Sequence, residues 1–508
     1  MLNVNSFIIP SKIILQGVGM KKIVLLLIML ILAGCSSSID SSNIKLPENN
    51  VKNQLLYGRN ILDYDNTKQL HTLIYRAGDK NGLHTDKSAY TLSSDNNVVA
   101  KENIYSKKSA VKPLSAKEKI NEANIKFQLY AENAGLKPIE KNDNVMYKTA
   151  PQTVEVGTKW NNVYVQDIDN GTFKTINATC IAVSNHAYFF LEDGLTKPTE
   201  DKIQSITEAF DKDYEIIHQY YGEETDTDGN GKVSFMIYDF SEGIFGFFFT
   251  ADKFKSMEVP ADVKSNESDV LYINHKFFTD ENWTKYSTDV KATFIHEFQH
   301  MVLYDSRSRA GLSPNVARWI NEGLSMLSEY YGNYGAPHYN YIASYFNKEQ
   351  GKSLIHTDAD LSYGLSYLFL RYLQIRFGDD VVKKIYASNR DGTQMIEEAT
   401  GMDFDELYTD FITMILVTGR GITTDKRYNI EEFNGIEGSE IYNRNGFNLS
   451  QLIDEVYSYN ASNPLFITNT GNSRELPLYG FQITKWGSQP QTLNLKGDTK
   501  TKGMYNAW

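Results

Sequence analysis

Residues 292–305 read ATFIHEFQHMVLYD, and the pattern HEFQH within them decides which fold the chain can adopt. His296 and His300 are four positions apart, so on a helix they project from one face and can grip one metal ion. Glu297 then lies beside the water that such a metal activates, where a carboxylate can accept the proton. With 9 histidines in 508 residues, the pattern arises by chance in roughly one chain in a hundred. The segment predicts a catalytic zinc site on a helix.

A catalytic zinc site takes three protein ligands and leaves its fourth position to water. Glu322 is a candidate third ligand, in the segment RWINEGLSML at 318–327. An unpaired carboxylate among these apolar residues would be costly, which favours a metal ligand over a solvated helix residue. Glu329 follows seven positions later on the same helical face. It is a competing ligand, a residue that hydrogen-bonds to a ligand without binding the metal, or an exposed residue.

The second helix has predicted ends of its own. We expect Ser313 as its N-cap, Pro314 as its first helical residue and Gly332 as its stop. A loop from about Asp305 to Leu312 then joins it to the HEFQH helix. Two helices joined in this way can lie against each other, so a carboxylate on the second can reach both histidines.

The combination of HEFQHM with W-I-N-E-G-L-S resembles the hyicolysin family of neutral zinc metallopeptidases and, more broadly, the gluzincin clan. The resemblance covers roughly residues 150 to 420. It implies a zincin-like fold and peptide hydrolysis, with Glu297 as general base and, as zinc ligands, His296, His300 and Glu322. Thermolysin-like members carry an Asp four residues after the third ligand, but Met326 stands here. The hydrogen-bond partner of the first histidine is therefore left open.

Tyr363 precedes the hydrophobic stretch GLSYLFLRYLQIRF, which predicts a helix ending at Gly378. The arrangement resembles aminopeptidase-like gluzincins, in which a Tyr before such a helix stabilises the oxyanion. Tyr367 and Tyr372 are nearby, and ordinary packing is the alternative for all three tyrosines.

The stretch DTDGNGKV, 226–233, is typical of the first half of a calcium loop. Asp226, Asp228 and Asn230 alternate as oxygen ligands do in such loops. Position 12, which should carry a bidentate Glu, is Ile237, so the loop is incomplete unless another group closes it. A polar turn leading into a strand is the equal alternative.

The chain predicts an α+β fold with several regions. Ser115 and Gly135 bracket a predicted helix, and Asp169-Asn170-Gly171 marks a hairpin. We divide the chain into an N-terminal region of unknown fold at 56–150, a metallopeptidase domain at 151–420 and a small β-rich appendage at 421–508. Within the middle domain, a strand-rich part precedes the two metal-binding helices and a helical lobe. The net charge of −12 argues against nucleic acid as a partner.

The N-terminus predicts export. Met20, the expected true start, opens MKKIVLLLIMLILAGCSSS, which has a basic start, a short apolar core and a small-residue exit. Its end, LAGC, resembles the lipobox of bacterial lipoproteins, which implies lipid on Cys35, a signal segment at 1–35 and a flexible tether at 36–55. A plain secretory signal or N-terminal anchor is the alternative. Cys180 lies in an apolar run and predicts a small core residue.

The leading hypothesis is a lipid-anchored zinc endopeptidase of the bacterial cell envelope that acts on polypeptides. Zinc is the expected cofactor, calcium a second candidate, and the lipid on Cys35 attaches the chain to a membrane. One alternative is a non-catalytic surface lipoprotein that binds host or envelope proteins. The other is an aminopeptidase-like gluzincin, although the chain has no GAMEN-like segment to hold a substrate N-terminus.

Overall fold

The strands and helices below come from a computed structural model. It describes residues 53–55, 58–64, 66–78, 87–94, 115–140, 150–240, 243–334, 336–346, 351–355, 362–433, 442–443, 446–459, 466–467, 474–486 and 490–507. The chain divides into two units, Met1–Asn50 and Val51–Trp508. The predicted signal segment, Cys35 and nearly all of the predicted tether lie outside the described residues.

The described strands are β1 (Asn53–Leu55), β2 (Gly58–Ile61), β3 (Leu70–Arg76), β4 (Lys87–Ser94), β5 (Lys159–Asp167), β6 (Thr172–Val183), β7 (Ala187–Glu192), β8 (Val233–Tyr238), β9 (Gly246–Phe248), β10 (Val270–Asn274), β11 (Tyr442–Asn443), β12 (Gly446–Phe447), β13 (Phe466–Ile467), β14 (Arg474–Pro477), β15 (Phe481–Trp486), β16 (Thr492–Lys496) and β17 (Thr501–Ala507). The described α-helices are α1 (Ala116–Ala134), α2 (Glu200–Tyr220), α3 (Asp280–Arg309), α4 (Arg318–Tyr331), α5 (Ala336–Ser344), α6 (Tyr363–Phe377), α7 (Asp380–Ala387), α8 (Gly392–Thr400), α9 (Phe404–Val417) and α10 (Leu449–Tyr459). Short 3-10 helices cover Thr250–Lys253, His275–Phe278 and Glu431–Phe433. The mixture of helices and strands confirms the α+β class.

A six-stranded sheet in the order β5-β6-β7-β8-β10-β9 supports the site. The predicted hairpin joins β5 to β6, and Gly171 takes the positive φ of 65° that its turn requires. Strands β7, β8 and β10 are parallel, whereas β9 pairs antiparallel with β10 and forms one edge. Cys180 is buried in β6, as its apolar neighbours predict. Strand β9 is thus an edge strand of this sheet.

Helix α3 carries HEFQH and has stabilising side chains at both ends. The Thr279 side chain accepts the Asn282 N–H at its start, with acidic residues in the first turn and basic residues in the last. The loop predicted from Asp305 is wrong, because α3 continues to Arg309. The guanidinium of Arg309 donates to the Glu224 carbonyl at 2.7 Å. This bond ties the last turn of the helix to the segment between α2 and β8.

Helix α4 ends at Gly332 as predicted, but its predicted start at Ser313 and Pro314 is wrong. The helix begins at Arg318. The Ala317 N–H donates to the Asp391 Oδ1 at 2.7 Å, which holds the preceding residues in a non-helical conformation. Asp391 lies directly before α8 and is distant in sequence, so this contact left no local signal.

Strands from both ends of the 51–508 unit interleave in two further sheets, in the orders β1-β17-β3-β15-β13 and β14-β4-β16-β2. Both sheets contribute to one hydrophobic core: Leu55, Leu62, Leu70, Ile74, Tyr90, Leu92, Leu476, Trp486, Leu493, Leu495 and Tyr505. The regions 56–150 and 421–508, which the sequence predicts as separate regions, therefore share these sheets.

Helix α1 matches its sequence prediction at both ends. The Ser115 side chain accepts the Glu118 N–H while the Glu118 side chain accepts the Ser115 N–H, a capping box, and Gly135 ends the helix in the left-handed conformation. In the part of the chain that the structure describes, no helix has both the length and the apolar character to cross a membrane.

Candidate metal centre

Two adjacent helices bring the predicted ligands together. His296 and His300 project from α3, and Glu322 projects from α4. Gly323 lets α4 pack closely on α6, since a Cβ at this position would lie 2.9 Å from the Leu370 side chain and 3.0 Å from the Ser366 carbonyl oxygen. The glycine of the NEG segment is therefore a packing requirement that sets where Glu322 points.

The three side chains fit a tetrahedral cation. The Glu322 Oε2 lies 3.3 Å from the His296 Nε2 and 3.6 Å from the His300 Nε2. Two ligand atoms on one zinc ion are about 3.3 to 3.6 Å apart when bonds of about 2.0 to 2.2 Å meet at tetrahedral angles. The same oxygen is buried without a hydrogen-bond partner. One nitrogen or oxygen atom from each residue lies within 4.8 Å of the others, so this group could hold a metal ion.

Hydrogen bonds to the Nδ1 atoms orient both histidines so that their Nε2 atoms face the Glu322 Oε2. The His296 Nδ1 lies 2.7 Å from the Glu329 Oε1, and the His300 Nδ1 lies 2.9 Å from the Asn321 Oδ1. Each oxygen accepts a hydrogen bond from the Nδ1–H, which leaves the Nε2 lone pair available. Glu329 thus contacts the nitrogen of His296 that faces away from Glu322, and it fills the role that the sequence left open at Met326.

The electrostatics favour positive charge between these groups. Burial alone would raise the pKa of Glu322, but the adjacent His296 and His300 side chains and Arg318 hold it well below its ordinary value. Burial alone would lower the pKa of His296, but Glu322 and Glu329 on either side raise it to about 10. The pocket therefore stabilises a cation, whether a proton or a metal, beside an ionised Glu322.

Glu297 faces the same cavity as the three candidate ligands. The residue is buried, and its Oε2 accepts the Phe248 N–H of β9 at 3.0 Å. This bond fixes one oxygen of the carboxylate against the sheet edge. The cavity has a volume of about 440 Å³, within the range of small-molecule and peptide side-chain pockets.

Tyr363 begins α6 and lines a smaller cavity of about 110 Å³ together with His296 and Glu297. Its hydroxyl accepts a hydrogen bond from the Arg318 Nη2 at 3.3 Å. Burial and the nearby Glu322 raise the pKa of Tyr363 to about 12, against the opposing effect of Lys117, so the hydroxyl keeps its proton. Tyr367 and Tyr372 are buried in the protein core instead.

The predicted calcium loop forms a different cluster from the one its pattern indicates. Asp226 and Asp228 lie together with Asp269, which precedes β10. The Asn230 Oδ1 accepts the Lys232 N–H at 3.0 Å, and its Nδ2 donates to Asp228. Burial raises the pKa of Asp228 to about 6. Asn230 is thus part of the turn, and the third carboxylate comes from a distant residue.

Sequence reasoning missed three residues around the centre. Arg318 contacts the Glu322 Oε1 at 3.3 Å, and its spacing of four positions on the helix was a usable signal. Asn321 stands in the NEG segment but was not assigned a role. Lys117 lines both cavities at the centre but has no local sequence signal, because α1 reaches the site only through the tertiary fold.

No family model matches the chain. Two solved structures, of a functionally unknown conserved protein from Bacillus anthracis str. Ames and of a mutant of it, cover 70% of this chain and 70% of theirs at 8% identity. Their TM-scores of 0.25 and 0.24 are too low to support an argument. The chain is 27% identical over 263 residues to the neutral metalloprotease ShpI of Staphylococcus hyicus, a match that covers 47% of this chain and 57% of that protein. The similarity and the His, His, Glu group together relate this chain to a metalloprotease.

Proposed function

We propose that the chain is a zincin-like zinc metalloendopeptidase. The observation that carries the proposal is the buried Glu322 Oε2, which has no hydrogen-bond partner and lies 3.3 and 3.6 Å from two histidine nitrogens. Glu297 faces the cavity in front of this group. The relationship to a neutral metalloprotease supports the same chemistry.

In this proposal His296, His300 and Glu322 hold the zinc ion, which when bound supplies a Lewis acid and an acidified water. Glu297 accepts the proton of the attacking water and passes it to the leaving amine. Its bond from the Phe248 N–H keeps the carboxylate in place during both transfers. The Tyr363 hydroxyl, protonated and held by Arg318, donates to the oxygen on which negative charge develops.

A purified chain that starts after Cys35 tests the activity. We expect it to cleave casein and an N-terminally blocked peptide, to stop when a chelator removes the metal, and to recover with zinc. Cleavage of the blocked peptide distinguishes an endopeptidase from an aminopeptidase, which needs a free N-terminus. A zinc-loaded protein that cleaves neither substrate would instead favour the non-catalytic lipoprotein.

We also propose that lipid on Cys35 anchors the chain in the bacterial cell envelope. The support is the sequence LAGC after a short apolar core. Acylation needs the thiol, so Cys35→Ser should abolish labelling by a fatty-acid probe and move the protein from the membrane to the soluble fraction. Cys180→Ser, at a buried cysteine, is the matched control and should keep the label. A mature N-terminus other than Cys35 would contradict the assignment.

A further inference from the structure

Helix α1 lies against the outer edge of strand β9. The Asn124 Nδ2 donates to the Phe248 carbonyl at 2.6 Å, and the Asn124 Oδ1 accepts the Thr250 N–H at 2.9 Å. One side-chain amide therefore satisfies a backbone carbonyl and a backbone N–H two residues apart. An extended peptide that added to this edge would use the same pair of groups.

Two further contacts hold α1 in this position. The Gln128 Nε2 donates to the Thr250 Oγ1 at 2.8 Å. Phe127 is buried, with its ring centroid 5.1 Å from that of Phe254. Only three of the 19 residues of α1 are buried, Ile120, Phe127 and Ala131. Asn124 and Gln128 thus attach the helix to Phe248 and Thr250, and its three buried residues add an apolar anchor.

The first turn of α1 places a cation in front of the candidate metal centre. The Lys117 Nζ lies 3.9 Å from the centroid of the Tyr363 ring. Lys117 lines both the larger and the smaller cavity, as His296 and Glu297 do. A polypeptide that ran from one cavity to the other past Glu297 would meet this side chain.

We infer that α1 is an autoinhibitory element that covers the edge of β9 and blocks access of a polypeptide to the candidate metal centre. The inference rests on the proposed peptidase function, because inhibition needs an activity to inhibit. The contacts that block a polypeptide do not depend on that function. Strands β3 and β4, upstream of α1, pair with β15 and β17 and with β14 and β16 near the C-terminus. Inhibition is therefore relieved when α1 moves away from β9, while the segment before it stays paired.

The test compares the zinc-loaded full chain with Asn124→Ala/Gln128→Ala and with Lys117→Met. The first variant loosens the attachment, and the second removes the cation but keeps the anchors. We expect kcat/KM on an extended peptide to rise roughly tenfold or more, because apparent affinity is reduced by the fraction of molecules that are competent to bind. A peptide hydroxamate should bind more tightly by a similar factor, and the Thr250 amide should exchange faster in the double variant.

Lys126→Ala is the matched control on the same helix, since Lys126 is exposed and only 4.0 Å from an exposed Asp262. It should leave all three measurements unchanged. Tighter hydroxamate binding and faster exchange without any cleavage would support the block and refute the peptidase function. Unchanged or weaker hydroxamate binding in both variants, with thermal unfolding like that of the parent, would overturn the inference and make α1 a permanent wall of the cleft.

Discussion

Glu297→Gln is expected to lower kcat/KM on casein-derived peptides by about 10² to 10⁴-fold, the range of a lost general base. The amide has nearly the shape of the carboxylate and can still accept the Phe248 N–H, but it cannot take a proton from water. The three candidate ligands are untouched, so zinc content should stay stoichiometric. Steady-state kinetics and metal analysis on the same preparation measure both quantities.

Glu281→Gln is the matched control, because Glu281 is an exposed residue in the first turn of the same helix. It should retain the activity of the parent protein. Residual activity above a few per cent in Glu297→Gln, with full zinc, would remove Glu297 from the proposed mechanism.

Glu322→Ala is expected to lower zinc retention by far more than the change of about 10 to 100-fold that is typical when an outer partner of a ligand is lost. The variant removes the one oxygen that lies 3.3 and 3.6 Å from the two histidine nitrogens. Zinc measured after dialysis, and by titration against a competing chelator, gives the size of the effect.

Glu329→Ala is the companion variant, since Glu329 is as deeply buried as Glu322 but contacts the other nitrogen of His296. It should bind zinc in a one-to-one ratio, with affinity reduced by about 10 to 100-fold at most. Full retention in Glu322→Ala, or complete loss in Glu329→Ala, would reverse the ligand assignment.

Local sequence patterns predicted the elements that depend on local chemistry. The capping box at Ser115, the hairpin at Gly171 and the end of α6 at Gly378 all have the predicted positions. The start of α4 was wrong because its preceding residues are held by Asp391, a contact between distant parts of the chain. Short-range patterns carry no information about such partners.

The sequence by itself determined which residues can form the metal centre, because the spacing of HEFQH places two histidines on one helical face and Glu297 beside them. Tertiary structure alone decided the rest. Helix packing at Gly323 brings Glu322 to the histidines, and Glu329 lies behind His296. The tertiary structure also places α1 against β9, a contact between segments about 120 residues apart. Such contacts depend on burial and shape across the whole fold, and a periodic pattern within one helix or strand does not encode them.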